Sequence, residues 1–262
     1  VVNAHISEKY LAGFLDADGC VKVFIPKTCV TPRISLNFSQ RRDRANILEC
    51  IQGTYGGSLT ERVTDGRQYA YLEIKQDAKE ILSRIQQYLV IKRHYAGFIL
   101  GTLGKKIGKD ELRTMMKEQR KVKSLPIPKH PTRKWLAGYF DGDGCLSGSL
   151  LRSGTARVRA HIGAWEYDTE GLELAQKAFG GSIRHQGSNF QWYIDMDASK
   201  AIQFLEFFGA HSVVKRNQID VVLGHARSKH FREGEELIRI LKALNAKPQR
   251  LSESTPKGDA IV

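Results

Sequence analysis

The chain has 262 residues, and its 41 Lys and Arg against 28 Asp and Glu leave a formal charge of +13 and an isoelectric point near 9.6. A hydrophobic content of 41% with 26% charged residues is that of a folded soluble protein and excludes collagenous and low-complexity classes. The longest uncharged apolar stretch, Tyr95 to Gly104, is far short of the ~20 residues that span a bilayer, so the basic charge points to a polyanion, nucleic acid before anionic membrane.

In chain order, Ser7 is placed to cap a helix from Glu8 to about Asp16, with Gly19 as its stop. Val21 to Pro26 and Arg33 to Gln40 follow as strands. The second sets Ile34, Leu36 and Phe38 on one face and Arg33, Ser35, Asn37 and Ser39 on the other, the pattern of a half-buried strand. Asn46 to Tyr55 has helical spacing, Ser58 to Thr64 and Gln68 to Lys75 form a hairpin around Asp65-Gly66, and Ala78 to Tyr88 and Lys92 to Leu103 are helices.

The same order then recurs. Tyr10-Leu-Ala-Gly-Phe-Leu-Asp-Ala-Asp-Gly-Cys20 returns as Trp135-Leu-Ala-Gly-Tyr-Phe-Asp-Gly-Asp-Gly-Cys145, Tyr55-Gly-Gly-Ser-Leu59 as Phe179-Gly-Gly-Ser-Ile183, and Val90-Ile-Lys-Arg93 as Val213-Val-Lys-Arg216. Between the copies, Ser124 to Pro131 holds three prolines and reads as a stiff linker. The expected organisation is a first half over 1–123, a linker over 124–132 and a second half over 133–262 that ends in an amphipathic helix (233–245) and a frayed tail from Ser252. Each half is an α-β-β-α-β-β-α unit, a four-stranded antiparallel sheet with helices on one face, which makes the fold class α+β.

The chemistry concentrates at the ends of the two motif helices. Gly13 and Ala17 share a helix face, as do Gly138 and Gly142, so the two helices can pack closely and bring Asp18 and Asp143 together. Two carboxylates at helix C-termini repel each other and the helix dipole, and a cation has to compensate. Carboxylates, main-chain carbonyls and water suit a cation of the Mg²⁺ type, whereas no His or Cys stands at zinc-ligand spacing. Asp16-Ala-Asp-Gly19 is not a calcium loop, because its twelfth position is Lys27. Gly142 to Gly148 is not a dinucleotide fingerprint, because it follows a helix.

Cys20 to Arg42 carries five basic residues and no acid, and Cys145 to Trp165 three and no acid. Basic residues alternating with Ser, Asn and Gln on a strand face supply phosphate clamps and base-edge readers for duplex DNA. The residues read as DNA contacts are Lys22, Lys27, Arg33, Ser35, Asn37, Arg41, Arg62, Arg67 and Tyr69 in the first half, and Arg152, Arg157, Arg159, His161, Arg184 and Gln191 in the second. Tyr10 and Trp135 read as packing residues, and Cys20 and Cys145 as small buried hydrophobes. Net charges of +9 and +4 make the halves non-equivalent, which suits an asymmetric site.

Leu11-Ala-Gly-Phe-Leu-Asp-Ala-Asp-Gly19 and Leu136-Ala-Gly-Tyr-Phe-Asp-Gly-Asp-Gly144 resemble the signature of the LAGLIDADG homing endonucleases in their single-chain, two-motif form. The resemblance implies a monomeric saddle on long double-stranded DNA, with cleavage of both strands across the minor groove. It also implies use of Mg²⁺ or Mn²⁺, with Ca²⁺ supporting binding without cleavage, and neither a protein partner nor a membrane. Carried over by residue, Asp18 and Asp143 would bind metal together with the carbonyls of Ala17 and Gly142. Lys92 and Lys215 would polarise water and phosphate, and Gln40 and Arg44 would position solvent in the first half. Their counterparts Ala164 and Asp168 depart from the pattern, so unequal cutting of the two strands is expected. An RNA-splicing maturase or a non-cleaving DNA-binding protein on the same fold is the alternative. One Lys and three acids in the first twenty residues resemble neither a secretory nor a transit peptide. Four cysteines without a C-x-x-C pair suit reducing surroundings: organelle matrix or stroma if organelle-encoded, otherwise cytoplasm or nucleus.

Overall fold

The computed structural model describes residues 5–246, except 28, 125, 127, 129, 155, 166, 188, 197 and 228–233. The expected tail from Ser252 and three linker positions, Leu125, Ile127 and Lys129, lie outside the described residues.

Helix α1 (Glu8–Asp18) leads directly into β1 (Gly19–Phe24) and β2 (Arg33–Arg41); α2 (Asn46–Tyr55) precedes the hairpin β3 (Ser58–Thr64) and β4 (Arg67–Ile74), and α3 (Ala78–Ile85) and α4 (Arg93–Thr102) close the unit. After α5 (Lys109–Gln119) the order returns as α6 (Arg133–Asp143), β5 (Gly144–Leu150), β6 (Ala156–Trp165), α7 (Glu170–Phe179), β7 (Ser182–Gln186), β8 (Asn189–Met196), α8 (Ala198–Phe208), α9 (Arg216–Arg227) and α10 (Gly234–Asn245). The sheets run β1-β2-β4-β3 and β5-β6-β8-β7, all pairs antiparallel. This is the expected α+β architecture. Among the described residues, no helix is long and apolar enough to cross a membrane.

The motif helices start alike. Ser7 Oγ accepts from the Tyr10 amide at 3.4 Å and Thr132 Oγ1 from the Trp135 amide at 3.2 Å, each satisfying one of the helix's unpaired N–H groups. Their ends differ from expectation: the first helix runs to Asp18 rather than Asp16, because Gly19 is extended (φ −90°, ψ 158°) and is the first strand residue, not a helical stop. Tyr10 to Asp16 are buried all round. A helix with no solvent face is sandwiched, and here its neighbour is α6. A Cβ on Gly13 would lie 2.0 Å from the Trp135 carbonyl oxygen, and one on Gly138 2.1 Å from that of Tyr10. The backbones touch at two reciprocal points, which is why both positions are glycine.

Each sheet turns one face to the helices. Ile34, Leu36, Phe38 and Leu72 are buried beside Ile47, Leu48, Ile51, Ile81 and Leu82. In the second half Val158, Ala160, Ile162 and Trp192 are buried with Phe140, Phe204 and Phe208, whose rings pack 5.0–5.8 Å apart. The first-half hairpin turns at Asp65 and Gly66, both at positive φ (50° and 70°), the geometry that matches strand twist. Seven paired positions join β3 to β4 but only five join β7 to β8, so the second hairpin is shorter and the repeat is not metrically uniform.

Candidate active site and nucleic-acid interface

The two aspartates of each motif are separated by one residue and meet opposite fates. Residues two apart lie on opposite sides of a helix, so Asp16 and Asp141 point into the protein while Asp18 and Asp143 end the helices. Asp141 is 1% exposed, and its carboxylate accepts from Tyr10 Oη (2.5 Å), Ser212 Oγ (2.5 Å) and the amides of Val213, Val214 and Lys215 (2.6–3.1 Å). Asp16 accepts from the amides of Val90 and Lys92 (2.7 and 2.8 Å) and from the Trp135 indole N–H (3.0 Å). Each buried carboxylate therefore fixes the loop of its own half that carries a lysine, and takes one further donor from the other half. Tyr10 and Trp135 are packing residues, as expected, but also these crossed donors, a role without a signal in the sequence.

The lysines turn back onto the helix ends. Lys92 Nζ donates to the carbonyls of Leu15 and Asp16 (2.7 and 2.5 Å), and Lys215 Nζ to that of Asp141 (2.9 Å). A cation there offsets the negative end of the helix dipole. Lys215 is almost fully buried, which lowers its ammonium pKa, whereas Lys92 is half-buried.

The carboxyl groups of Asp18 and Asp143 converge: a Cβ on Gly142 would lie 2.4 Å from the Ala17 Cβ and 3.4 Å from Asp18 Oδ2. Burial raises the Asp18 pKa against the pull of Lys215, the Gln40 amide, Lys92 and Arg44. Burial and then the Asp18 charge push Asp143 up to about 7, against Lys92 and Lys215. Each aspartate thus feels the lysine of both halves, and the centre belongs to neither half alone. Gln40 Nε2 donates to Asp18 Oδ2. In the second half Ala164 provides no such donor, and Asp168 replaces the cationic Arg44 with a half-buried carboxyl raised by burial and held down by Lys92.

Two close carboxylates with an unfilled demand for positive charge fit a divalent cation with oxygen ligands. Asp18 and Asp143 would hold it, with the main-chain carbonyls of Ala17 and Gly142 beside them. Among the described residues no group of three or more His, Cys, Asp or Glu forms a metal cluster, so carbonyls, water or a phosphate would have to complete the shell.

The strand registers settle which side chains face away from the helices. Cys20 pairs with Asn37, Lys22 with Ser35, Arg41 with Tyr69 and Tyr69 with Arg62, which sets these residues in rows on the outward face of the first sheet. Arg33 and Arg67 share that face. In the second sheet the outward rows include Arg157, Arg159 against Asp195, His161 against Tyr193, and Arg184 against Gln191. Lys27 and Arg152 lie exposed in the turns between the paired strands. Three expectations need correcting. Ser35 is fully buried and donates to Glu73 at 3.1 Å, so it is not presented to a ligand. Cys20 is exposed and Cys145 half-exposed, because their strand positions face outward; neither is a core hydrophobe. The outward faces are not free of acids, because neighbouring strands contribute Glu73, which pairs with Lys75 at 2.8 Å, and Asp195, which pairs with Arg159 at 2.7 Å. Those pairings leave Lys22, Arg33, Arg62 and Arg157 as exposed cations without an ion pair among the described residues. Trp165, 66% exposed at the end of β6, is an outward aromatic that the sequence pattern did not single out.

Comparison with known proteins agrees with this geometry. The family model described as LAGLIDADG endonuclease matches residues 11–102. The chain is similar in fold to the LAGLIDADG meganuclease I-AabMI bound to uncleaved DNA, with a TM-score of 0.65 and 17% identity over 91% of this chain and 98% of that one. It is also similar to the meganuclease I-SmaMI bound to uncleaveable DNA (0.65, 18%, 94% and 99%) and to the LAGLIDADG homing endonuclease I-GzeII in complex with its DNA target (0.64, 15%, 94% and 99%). Comparison with curated protein sequences finds no match. The match across the first half, the second copy of the motif on α6 and the shared two-unit fold make this chain a member of the LAGLIDADG family in its single-chain, two-motif form.

Proposed function

We propose that the protein is a site-specific DNA endonuclease that cuts both strands of a long, asymmetric duplex site by metal-assisted hydrolysis. The observation that carries this reading is the convergence of Asp18 and Asp143 at the ends of two packed helices, each flanked by a buried or half-buried lysine. The matching solved structures are bound to DNA, which supports duplex DNA as the partner of the two outward sheet faces. A cation of the Mg²⁺ type at the paired carboxylates would stabilise phosphate charge and lower the pKa of a bound water. The chain itself supplies the rest: Lys92 and Lys215 add positive charge beside the phosphate, Gln40 orients groups around Asp18, and the outward Arg and Lys residues hold the duplex in register. A protein that only bound nucleic acid would gain nothing from two mutually repelling acids, and this favours an enzyme over a maturase or regulator on the same fold.

Selection of cleaved sequences from a random duplex library in Mg²⁺ tests the reading; recovery of no site would overturn it. Asp18→Asn or Asp143→Asn should abolish double-strand cleavage of the recovered site while leaving its affinity in Ca²⁺ within several-fold. Undiminished cutting by either variant would remove the paired acids from the mechanism.

A further inference from the structure

Helices α5 and α10 hold corresponding places, each following the last helix of its repeat, yet they meet their sheets differently. Helix α10 lies directly on β5: Gly148 is within van der Waals reach of Ile238 and Leu241, and Asn245 Nδ2 donates to the Leu146 carbonyl of that edge strand at 2.7 Å. Helix α5 is rooted by Leu112 and Met116 but makes no hydrogen bond to β1 among the described residues, and a cavity of about 800 Å³ separates the two.

The lining of that cavity is cationic. Residues 105–123 contain eight Lys or Arg, all exposed, against Asp110, Glu111 and Glu118. Arg120 is engaged with Tyr95, Lys121 with the Tyr167 ring and Lys123 with Glu173. Lys109, Arg113 and Lys117 are four residues apart on one helix face, line the cavity, and have no ion-pair partner among the described residues. At one end the cavity reaches Lys92, beside the paired aspartates; at another it reaches Lys22, on the outward face of β1. Helix α10 shows no such excess, with Glu235 and Glu236 against Arg239 and Lys242, and Arg239 paired to Glu236 at 2.6 Å.

We propose that this cavity is a phosphate-binding slot for the sugar–phosphate backbone of DNA where it leaves the catalytic centre on the side of the first half, with α5 as a clamp that the second half lacks. The proposal rests on the DNA reading above and extends it to a surface outside the two sheets. A row of three unpaired cations continuous with Lys92 and Lys22 matches a polyanion running between them. Contacts of this kind are independent of base sequence and release counterions in proportion to the phosphates neutralised.

The test is the salt dependence of binding to a random-sequence duplex in Ca²⁺, for the whole protein and for the triple variant Lys109→Gln, Arg113→Gln, Lys117→Gln. All three side chains are exposed, so folding should be unaffected. The slope of log K against log salt should fall by about 2–3, at ~0.9 per phosphate, while cleavage at saturating DNA is unchanged. Arg239→Gln with Lys242→Gln on α10 should leave the slope alone. An unchanged slope in the triple variant, or an equal loss from the α10 pair, would overturn the clamp while leaving the endonuclease reading intact. Absence of duplex binding by the unaltered protein would overturn both.

Discussion

Asp143 carries the largest electrostatic consequence of any single residue in the molecule. Its pKa is raised from 3.8 to about 7, so the folded state keeps a proton that the unfolded state has already lost. Stability from this group is therefore complete below about pH 4 and declines as pH rises towards 7, by up to about 4 kcal/mol at ~1.4 kcal/mol per unit. Without divalent cation, the melting temperature of the protein should fall between pH 5 and pH 8 more than that of Asp143→Asn, as measured by thermal unfolding. Equal slopes would show that the two carboxylates do not repel. Added Mg²⁺ should restore the loss, and should bind more tightly as pH passes 7, because the ligand has to be ionised. Asp18 and Asp143 were legible in the sequence because a doubled motif with an acid at a helix end has no packing explanation. Asp16 and Asp141 were not, because their partners are backbone amides some 74 positions downstream and an aromatic in the other half, and neither leaves a pattern in spacing.

Between the motif helices, packing and chemistry depend on the same contact. Gly13→Ala would drive a methyl into the Trp135 carbonyl, and since backbone cannot yield as a flexible side chain does, the cost should exceed ~3 kcal/mol. Chemical denaturation reads this out, and a neutral result would mean that the helices separate freely. Tyr10→Phe removes one donor from a buried carboxylate that keeps its others, at a cost of about 1–3 kcal/mol. Because that carboxylate holds the Lys215 loop, cleavage should slow more than DNA affinity changes, and Trp135→Phe should do the same through Lys92. Loss of affinity with unchanged turnover would contradict the coupling. Most elements were legible: Ile34, Leu36 and Phe38 alternate cleanly, and Asp65-Gly66 marks its turn. Helix α5 was missed because an eleven-residue segment that buries only Leu112 and Met116 gives almost no helical periodicity. Gly19 was misread because a glycine after a helix is equally fit to begin a strand.

The two halves repeat a plan without repeating its chemistry. Gln40 and Arg44 face Asp18 in one half, while Ala164 and Asp168 occupy the corresponding positions in the other, and Lys215 is more deeply buried than Lys92. The two strands of a target should be cut at different rates, so a supercoiled plasmid carrying the site should pass through a nicked circle that accumulates before linear product. Direct conversion to linear DNA would indicate equal centres. The repeat offsets revealed two copies and the place of the join; the crossing of interactions between them was hidden, because each copy looks self-sufficient in one dimension. The crossed donors have a further consequence for heredity and engineering. Asp141 is matched to a phenol and Asp16 to an indole, each cut to a different length and angle. A chain assembled from two copies of the first half would set Tyr10 where an indole is required, so the halves are cognate rather than interchangeable. Recombination between relatives will preserve a working centre only where Tyr10 travels with the pocket around Asp141, and Trp135 with that around Asp16.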